Sequence, residues 1–223
     1  MPTTSAPLNT DAAAQALSAG RAAILPNPSP LTYVVAATTP QAVNNAKARP
    51  TDQEVALWVH DDTTWTDLTR ALDLPPAALS TALALLRTEL VTLLVPVRAD
   101  TRPPAWALPA LREGHLLLFG SRWQPLTPLL AQFPRLYVSS ANRTGQPPAA
   151  TAAQAAAMFG PDIHVTDSDH LRNTGTAHAA TTMLRIAPDG TLTHIRQGAQ
   201  DQAHGPDPAS YLKWLLTTTI TTP

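Results

Sequence analysis

The stretch Val138-Ser139-Ser140-Ala141-Asn142-Arg143-Thr144-Gly145-Gln146-Pro147-Pro148 decides how this chain is interpreted. The apolar residues 136–138 predict a β-strand that ends in small hydroxyl and amide side chains. Gly145 and the two prolines turn the chain, and an alanine-rich helix is predicted over 151–159. Open α/β sheets place ligands at strand ends of this kind, and many hydrogen-bonding groups on little bulk suit phosphates. An ordinary polar turn is the alternative.

The composition bounds the class of protein. The chain has 223 residues, a formal net charge of −1 and no cysteine. This length suits one domain with a real core. The charge argues against a protein that coats nucleic acid, although a local basic cleft is still allowed. The absence of cysteine excludes disulfides, thiolate metal sites and cysteine nucleophiles. No signal peptide or long apolar run is seen, which predicts a soluble cytoplasmic protein without membrane contact.

The order of elements predicts the fold class. Short strands alternate with short helices, which indicates an α/β or α+β domain with a mixed sheet. The predicted first strand covers 22–25 and is ended by a stiff, proline-rich loop over 26–30. A long loop is predicted over 167–180 and a strand over 181–186. We expect one domain over 1–200 and a short C-terminal tail over 201–223.

Two further segments carry cations next to strands. Lys47-Ala48-Arg49 follows a predicted helix, and its two side chains could clamp an anion, the arginine by bidentate bonding. Arg196 ends a predicted strand two residues before Gly198, which permits close backbone approach. Taken alone, Lys47-Ala48-Arg49 indicates a solvated helix end rather than an anion site, and the Arg196 segment is an equally weak signal.

In chain order these segments resemble the YrdC family of threonylcarbamoyl-adenylate synthases. That family has a proline-threonine loop after its first strand, a lysine-x-arginine-proline, a serine-alanine-asparagine-x-serine-glycine, a serine-threonine-valine strand and a terminal arginine-x-glycine. The counterparts here are residues 26–33, Lys47-Ala48-Arg49-Pro50, Ser140-Ala141-Asn142-Arg143-Thr144-Gly145, Thr181-Thr182-Met183 and Arg196-Gln197-Gly198-Ala199. The match spans nearly the whole chain.

The resemblance implies an α/β (α+β) fold, a twisted mixed sheet with flanking helices around a concave basic cavity that binds ATP. Members adenylate the carbamate formed from bicarbonate and L-threonine and release pyrophosphate. Their product serves tRNA threonylcarbamoyladenosine formation through downstream carbamoyl-transfer machinery. Mg²⁺ would arrive bound to ATP, held by phosphate and water rather than by a protein cage.

Matching positions imply the site residues. Lys47 and Arg49 would be catalytic and would hold ATP phosphates. The other implied ATP- and phosphate-binding residues are Ser140, Asn142, Thr182 and Arg196. The candidate substrate-binding residues are Asn27, Ser29, Thr32, Tyr33, His60, Ser139 and Thr181. For His60 a surface position is the alternative interpretation. The histidines and aspartates of region 162–194 have no zinc-type spacing, so no protein-bound metal is expected.

The chain also departs from the family pattern. Its first loop reads Pro26-Asn27-Pro28-Ser29, and the strand that should carry an arginine reads Leu116-Leu117-Leu118-Phe119-Gly120, where Arg122 is an uncertain substitute. Arg185 stands where the family has an acidic residue. The lost groups lie largely where the family binds its amino acid, which predicts a paralogue with a changed acceptor or a weakly active member. The alternative of another class is a non-catalytic protein that binds a nucleotide or structured RNA, with weak RNA binding in the same cavity.

Overall fold

The computed structural model describes residues 8–28, 31–120, 123–172 and 178–218. The predicted site residue Ser29 and the uncertain substitute Arg122 lie outside these ranges. None of the described helices combines the length and apolar character that crossing a lipid bilayer requires.

The described residues form one mixed sheet. Its strands are β1 (Ala23–Pro28), β2 (Leu31–Ala37), β3 (Ala56–Trp58), β4 (Thr92–Pro96), β5 (Leu111–Arg112), β6 (His115–Phe119), β7 (Tyr137–Ser140), β8 (His164–Val165), β9 (Met183–Ile186) and β10 (Leu192–Arg196). They are ordered β10-β9-β4-β6-β3-β7-β2-β1-β8, with β5 paired to β6. Parallel pairs join β1 to β8, β3 to β6 and β4 to β9, and the other pairs are antiparallel. The predicted mixed α/β sheet is confirmed.

Helices pack on both faces of this sheet. The α-helices are α1 (Asp11–Ser18), α2 (Pro40–Ala46), α3 (Asp62–Thr69), α4 (Pro76–Ala84), α5 (Thr127–Leu130), α6 (Ala152–Phe159), α7 (Ala199–Gln202) and α8 (Pro208–Thr218). Helix α4 continues into a π-helical turn, Leu85–Glu89, and 3₁₀ turns cover Ala105–Ala110, Gln124–Leu126 and Asp169–Leu171.

Because side chains alternate along each strand, the apolar residues form two core clusters, one on each face of the sheet. Leu57 joins the cluster under α2, α3, α4, α6 and α8, and the next residue, Trp58, joins the cluster under α1 and α5. Val34 and Val35 of β2 are divided in the same way. Successive side chains of a strand point to opposite faces, so the apolar runs of this sequence build both layers. The α1–α5 layer covers the sheet around β1, β2, β3 and β7, and it does not extend over β4, β9 and β10 among the described residues.

The first strand is longer than the sequence predicts. The predicted loop over 26–30 is wrong in its first part, because β1 continues through Pro28 and pairs Asn27 with Thr32. Pro26 and Pro28 lie two positions apart, so their backbone nitrogens, which carry no hydrogen, face the same edge of β1. The second neighbour of β1 among the described strands, β8, pairs only at Ala23 and Ile24. Proline is tolerated in a strand where no partner needs its N–H.

The C-terminal part also differs from expectation. The strand predicted over 181–186 begins at Met183, and α7 follows β10 where no helix was predicted. Helix α8 lies in the predicted tail, and its Tyr211 and Leu215 are fully buried in the larger core cluster. The proposed boundary at residue 200 stays a prediction.

Gly120 is a position where the sheet and the π-helical turn meet without room for a side chain. A Cβ at residue 120 would lie 2.4 Å from the backbone oxygen of Leu86. We expect Gly120→Ala to lower the free energy of unfolding by about 2 kcal/mol or more, since backbone cannot yield as a side chain can. Gly20→Ala is the control, because Gly20 has φ 71° and open space around it, so only about 1 kcal/mol of backbone strain is added. Urea unfolding measures both; equal losses would contradict the close contact.

Candidate functional site

A cavity of about 170 Å³ opens on the sheet face beside the α1–α5 layer. Segments that are distant in sequence meet there: the hairpin β1–β2, the turn after α2, the end of β7 and the β9–β10 pair. Its polar lining residues include Asn27, Arg49, Ser139, Ser140, Thr181 and Arg196. Two arginines and several hydroxyl groups therefore share one concave space, with Glu54 as a carboxylate at its wall.

Arg49 is held through the Nε atom of its guanidinium, while its Nη2 atom has no partner among the described residues. Its Nε donates to Asn44 Oδ1 at 2.6 Å, and Asn44 is itself oriented by donating to the carbonyls of Thr51 and Gln53. The Nη2 atom is buried and has no hydrogen-bond partner among the described residues. Burial lowers the pKa of Arg49, and the Glu54 carboxylate opposes this shift. A buried donor without a partner is costly, so this atom suits an anionic ligand.

The backbone at Ala48 separates the two cations of this turn. Ala48 has φ 52°, in the left-handed region that alanine rarely adopts. Lys47 on one side is buried, and Arg49 on the other side reaches the cavity.

Lys47 binds the end of β7 instead of lining the cavity. Its ammonium donates to the Ser140 carbonyl, to the Asn142 carbonyl at 2.7 Å and to Asn142 Oδ1 at 2.9 Å. Three acceptors match the three protons of the charged form. Burial, followed by the positive charges of Arg49 and Arg143, lowers the pKa of Lys47 to about 7. The charge of Lys47 lies directly behind the hydroxyl-rich strand end.

That strand end is further fixed by its own side chains. Ser140 Oγ donates to Asn142 Oδ1 at 2.5 Å, and Asn142 Nδ2 donates to the Gln146 carbonyl at 2.6 Å. Arg143 ties the following turn to two helices, by donating to the carbonyls of Ala46 and Met158. Asn142 therefore shapes the loop around Lys47, and Ser139 and Ser140 line the cavity.

Asn27 offers an acceptor to the opposite side of the cavity. It is 2% exposed, and its Nδ2 donates to Thr181 Oγ1 at 2.9 Å. A longer contact of 3.5 Å joins Nδ2 to Thr32 Oγ1. Its Oδ1 is buried and has no hydrogen-bond partner among the described residues. Asn27 can accept a hydrogen bond from a ligand N–H or O–H.

Arg196 and Thr181 are held together by the chain that follows β10. Arg196 Nη2 donates to the Thr181 carbonyl at 2.9 Å, and burial lowers its pKa. Gly198 packs so tightly against this segment that a Cβ there would lie 2.2 Å from the Thr182 nitrogen. Glycine at this position is thus a steric requirement for the Arg196 segment to approach Thr181.

A buried carboxylate, Asp201, fastens this contact. It is 1% exposed and accepts from Thr182 Oγ1 and the Gly198 N–H, both at 2.6 Å, while His194 Nε2 lies 2.9 Å from its second oxygen. Burial raises the pKa of Asp201, but the bonds from Thr182, Gly198 and His194 outweigh it and hold the pKa below its usual value. The carboxylate therefore stays charged and joins β9, β10 and α7.

Besides Lys47 and Asn142, two predicted site residues, Thr182 and His60, do not line the cavity, and Tyr33 lines it with its hydroxyl already bound. Thr182 is fully buried, its hydroxyl is bound by Asp201, and the cavity lining among the described residues includes Thr181 in its place. Tyr33 lines the cavity, but its hydroxyl donates to Asp169 at 2.7 Å, and burial raises its pKa to about 12. The His60 side chain is 2% exposed and lies 3.2 Å from Asp61, so the surface alternative is wrong; His60 is also not among the described lining residues.

Sequence inspection missed three residues that support the site. Asn44, Arg143 and Asp201 position Arg49, the β7 loop and Arg196 respectively. Asp201 follows Gly198 by three residues, a spacing at which a carboxylate can cap the backbone N–H groups that begin a helix. That spacing was the available signal; nothing in the sequence marked Asn44.

The strand β6 presents only apolar side chains to the cavity, Leu117 and Phe119. No group of three or more metal-ligating side chains occurs among the residues that the structure describes. The donor set here is thus guanidinium, amide and hydroxyl, which suits an oxygen-rich anion rather than a metal held by protein ligands.

Solved structures share this architecture. The chain matches P. abyssi Sua5 complexed with L-threonine at a TM-score of 0.62, with 20% identity over 84% of this chain and 53% of that one. It matches E. coli YciO at a TM-score of 0.60, with 11% identity over 84% of this chain and 87% of that one. The chain has the YrdC-like fold.

A third match extends the YrdC-like fold to a much larger protein. Full-length HypF in its phosphate- and nucleotide-bound form gives a TM-score of 0.63, with 14% identity over 88% of this chain and 29% of that one. The YrdC-like chain spans about half the length of the Sua5 chains it matches. No family model and no curated protein matches its sequence.

Asp201→Ala tests the fastening of Arg196. The substitution leaves the Gly198 N–H and the Thr182 hydroxyl without their acceptor, so we expect the free energy of unfolding to fall by roughly 3 kcal/mol or more. Asp201→Asn keeps one oxygen acceptor, so its free energy of unfolding should fall by less. Pyrophosphate binding, measured by calorimetry at a temperature where both variants are folded, should weaken more in Asp201→Ala. Unchanged pyrophosphate affinity would show that Asp201 does not position the cavity cations.

Proposed function

We propose that this protein is an ATP-dependent adenylating enzyme acting in the cytoplasm. It converts an amino acid, bicarbonate and ATP to an N-carbamoyl-amino-acid adenylate and pyrophosphate. With L-threonine as the amino acid, the product would supply tRNA threonylcarbamoyladenosine formation through a downstream carbamoyl-transfer protein. The fold shared with Sua5 bound to L-threonine and with HypF bound to nucleotide supports both substrate classes.

The observation that carries the proposal is the pair of unsatisfied groups in one cavity. Arg49 Nη2 is a buried donor and Asn27 Oδ1 a buried acceptor, neither with a partner among the described residues. Arg196 lines the same space, and the Lys47 charge stands behind its wall. A ligand with anionic oxygens and an N–H or O–H group would satisfy both unpaired atoms. A carbamate beside a phosphate chain is such a ligand.

The chemistry needs positioning and positive charge. A carbamate oxygen attacks the α-phosphorus of ATP, a new P–O bond forms, and the bond from the α-phosphorus to the bridging oxygen breaks. The electron pair leaves on pyrophosphate, and no proton transfer to the protein is required. Arg49 and Arg196 would hold the converging anions, and fixed cations stabilise charge on the transferring phosphoryl group. Mg²⁺, where bound with ATP, would neutralise phosphate charge.

The size of the cavity limits what it encloses. At about 170 Å³ it is smaller than the roughly 300–1,000 Å³ of typical small-molecule sites. It can hold the reacting phosphate and the carbamate, while the rest of the nucleotide extends beyond it.

A second candidate is a paralogue with the same adenylation chemistry and a different acceptor. The observation that favours it is the apolar wall of β6, where Leu117 and Phe119 face the cavity. The family pattern places an arginine in this strand, where it could bind an amino-acid carboxylate. A changed acceptor would find its carboxylate partner elsewhere on the sheet.

The reaction is tested by incubating the protein with ATP, Mg²⁺, bicarbonate and a panel of amino acids while following pyrophosphate. We expect amine-dependent release, reduced at least about 100-fold in Arg49→Met, because the loss of one charge-stabilising donor typically costs this much. Arg21→Met, at an exposed position, is the control. ATP binding without release for any amine would point to a non-catalytic nucleotide-binding protein. Salt-dependent RNA binding without ATP binding would point to an RNA-binding protein.

The pKa of Lys47 predicts how affinity depends on pH. Because this pKa is about 7, affinity for pyrophosphate should fall as pH rises through about 7, by up to about tenfold per pH unit. Binding an anion favours the charged ammonium, so complex formation should take up a proton. Calorimetry in buffers of different ionisation enthalpy measures this uptake.

Lys47→Arg is the matched variant for the pH experiment. An arginine stays charged throughout this range, so proton uptake should disappear. Equal proton uptake by Lys47→Arg and the natural protein would assign the titration to another group.

A further inference from the structure

A second concavity of about 240 Å³ adjoins the cavity on the half of the sheet that the α1–α5 layer leaves open. We call it the groove; its lining includes Leu94, Arg112, His115, Leu117, Met183 and Arg185. Leu117 and Met183 line both spaces, so the groove is continuous with the cavity.

The face of β9 leads from one space into the other. Thr181 lines the cavity just before the strand, Met183 lines both spaces, and Arg185 lines the groove. Residues two apart share one face of a strand and lie about 7 Å apart along it. A ligand that follows this strand therefore meets a hydroxyl, an apolar side chain and a guanidinium in turn.

The face of β6 repeats this order beside it. Phe119 lines the cavity, Leu117 lines both spaces and His115 lines the groove, where β5 places Arg112 opposite His115. Strand β4 lies between, and its Leu94 pairs with Leu117 on one side and with Arg185 on the other. The floor is apolar and continuous, and basic side chains stand at its far end.

The two arginines at that end differ in whether a carboxylate lies near them. Glu113 is the carboxylate among the described lining residues, and its Oε1 lies 3.8 Å from Arg112 Nε. His115 Nδ1 lies 2.9 Å from the Glu113 carbonyl. Arg185 is exposed and pairs with no carboxylate among the described residues. One guanidinium thus stands free beside an apolar floor.

We propose that the groove binds the far end of the acceptor, an elongated amino acid with an apolar middle and a distal carboxylate that pairs with Arg185. This assignment rests on the proposed adenylation and deepens it by naming the acceptor class. The amine end lies in the cavity, where it becomes the carbamate, and the methylene chain covers Leu94, Leu117 and Met183. ATP carries its anionic groups at one end only. It therefore cannot place an anionic group beside Arg185 while its phosphates occupy the cavity.

The geometry sets the length of this acceptor. Arg185 lies four positions after Thr181, about 13 Å along an extended chain, and the arginine side chain can shorten the gap. L-Glutamate is too short to span it, whereas L-2-aminopimelate approaches it. A bidentate pair between guanidinium and carboxylate gives the distal end its selectivity.

The test measures direct binding by calorimetry, with and without a non-hydrolysable ATP analogue. The probes are L-glutamate, L-2-aminoadipate and L-2-aminopimelate, with L-norleucine as the chain that lacks a distal carboxylate. We expect affinity to rise with length and L-2-aminopimelate to bind at least tenfold more tightly than L-norleucine. Arg185→Gln should remove that difference, and Arg21→Gln, an exposed arginine outside the groove, should leave it unchanged.

Each other result has a defined meaning. Equal affinities for L-2-aminopimelate and L-norleucine overturn the assignment. The assignment is also overturned if Arg185→Gln loses affinity for the ATP analogue alone, because the groove would then hold the nucleoside. A third result would overturn the assignment: the natural protein shows no selectivity for the diacid, and Arg185→Gln loses a salt-dependent binding of RNA. Selective binding of the diacid without pyrophosphate release supports the groove while the proposed adenylation fails.

Discussion

The contact between the Lys47 ammonium and the oxygens of Ser140 and Asn142 is the constraint on which the candidate site depends. It joins the turn after α2 to the end of β7 and uses all three protons of the lysine. A buried cation is tolerated only where acceptors replace its water. The two most characteristic segments of the sequence are thereby fixed against each other before any ligand is considered.

Lys47, Arg49, Arg143 and Arg196 lie on one side of this protein. Burial lowers the pKa of Lys47, Arg49 and Arg196, and the positive charges of Arg49 and Arg143 lower the pKa of Lys47 further. Carbonyl and amide oxygens of the protein compensate part of this positive charge, but Arg49 Nη2 has no hydrogen-bond partner among the described residues. A site with uncompensated positive charge and little water is preorganised for an anion, since the reorganisation is already complete when the ligand arrives.

The sheet explains why cavity and groove are one surface. The α1–α5 layer covers only part of this face, so the cavity lies beside that layer and the groove lies where the layer does not extend among the described residues. The departures from the family pattern, the apolar β6 and Arg185, fall along this path. They alter the surface that the proposed acceptor would meet, while Arg49 and Arg196, which follow the family pattern, both line the cavity.

Much of the fold could be predicted because its determinants are local. Apolar runs of strand length, the helix after Pro148 and the glycine and proline turns led to the mixed α/β sheet that the structure has. The chain order of the Lys47, Ser140 and Arg196 segments indicates the YrdC-like fold. The extension of β1 through two prolines was missed, because the absence of a partner on their side is a property of the sheet and not of the segment.

The sequence by itself determined which cations and hydroxyl groups the chain carries and at which strand ends they lie. Only the tertiary structure decided which of neighbouring residues faces the cavity. Thr181 lines it while Thr182 binds Asp201, because the extended chain that leads into β9 turns successive side chains to opposite sides, and its register is set by the partner strands. The free bonding capacity of Arg49 and Asn27 was likewise hidden, since whether a buried polar atom has a partner depends on segments far away in the chain.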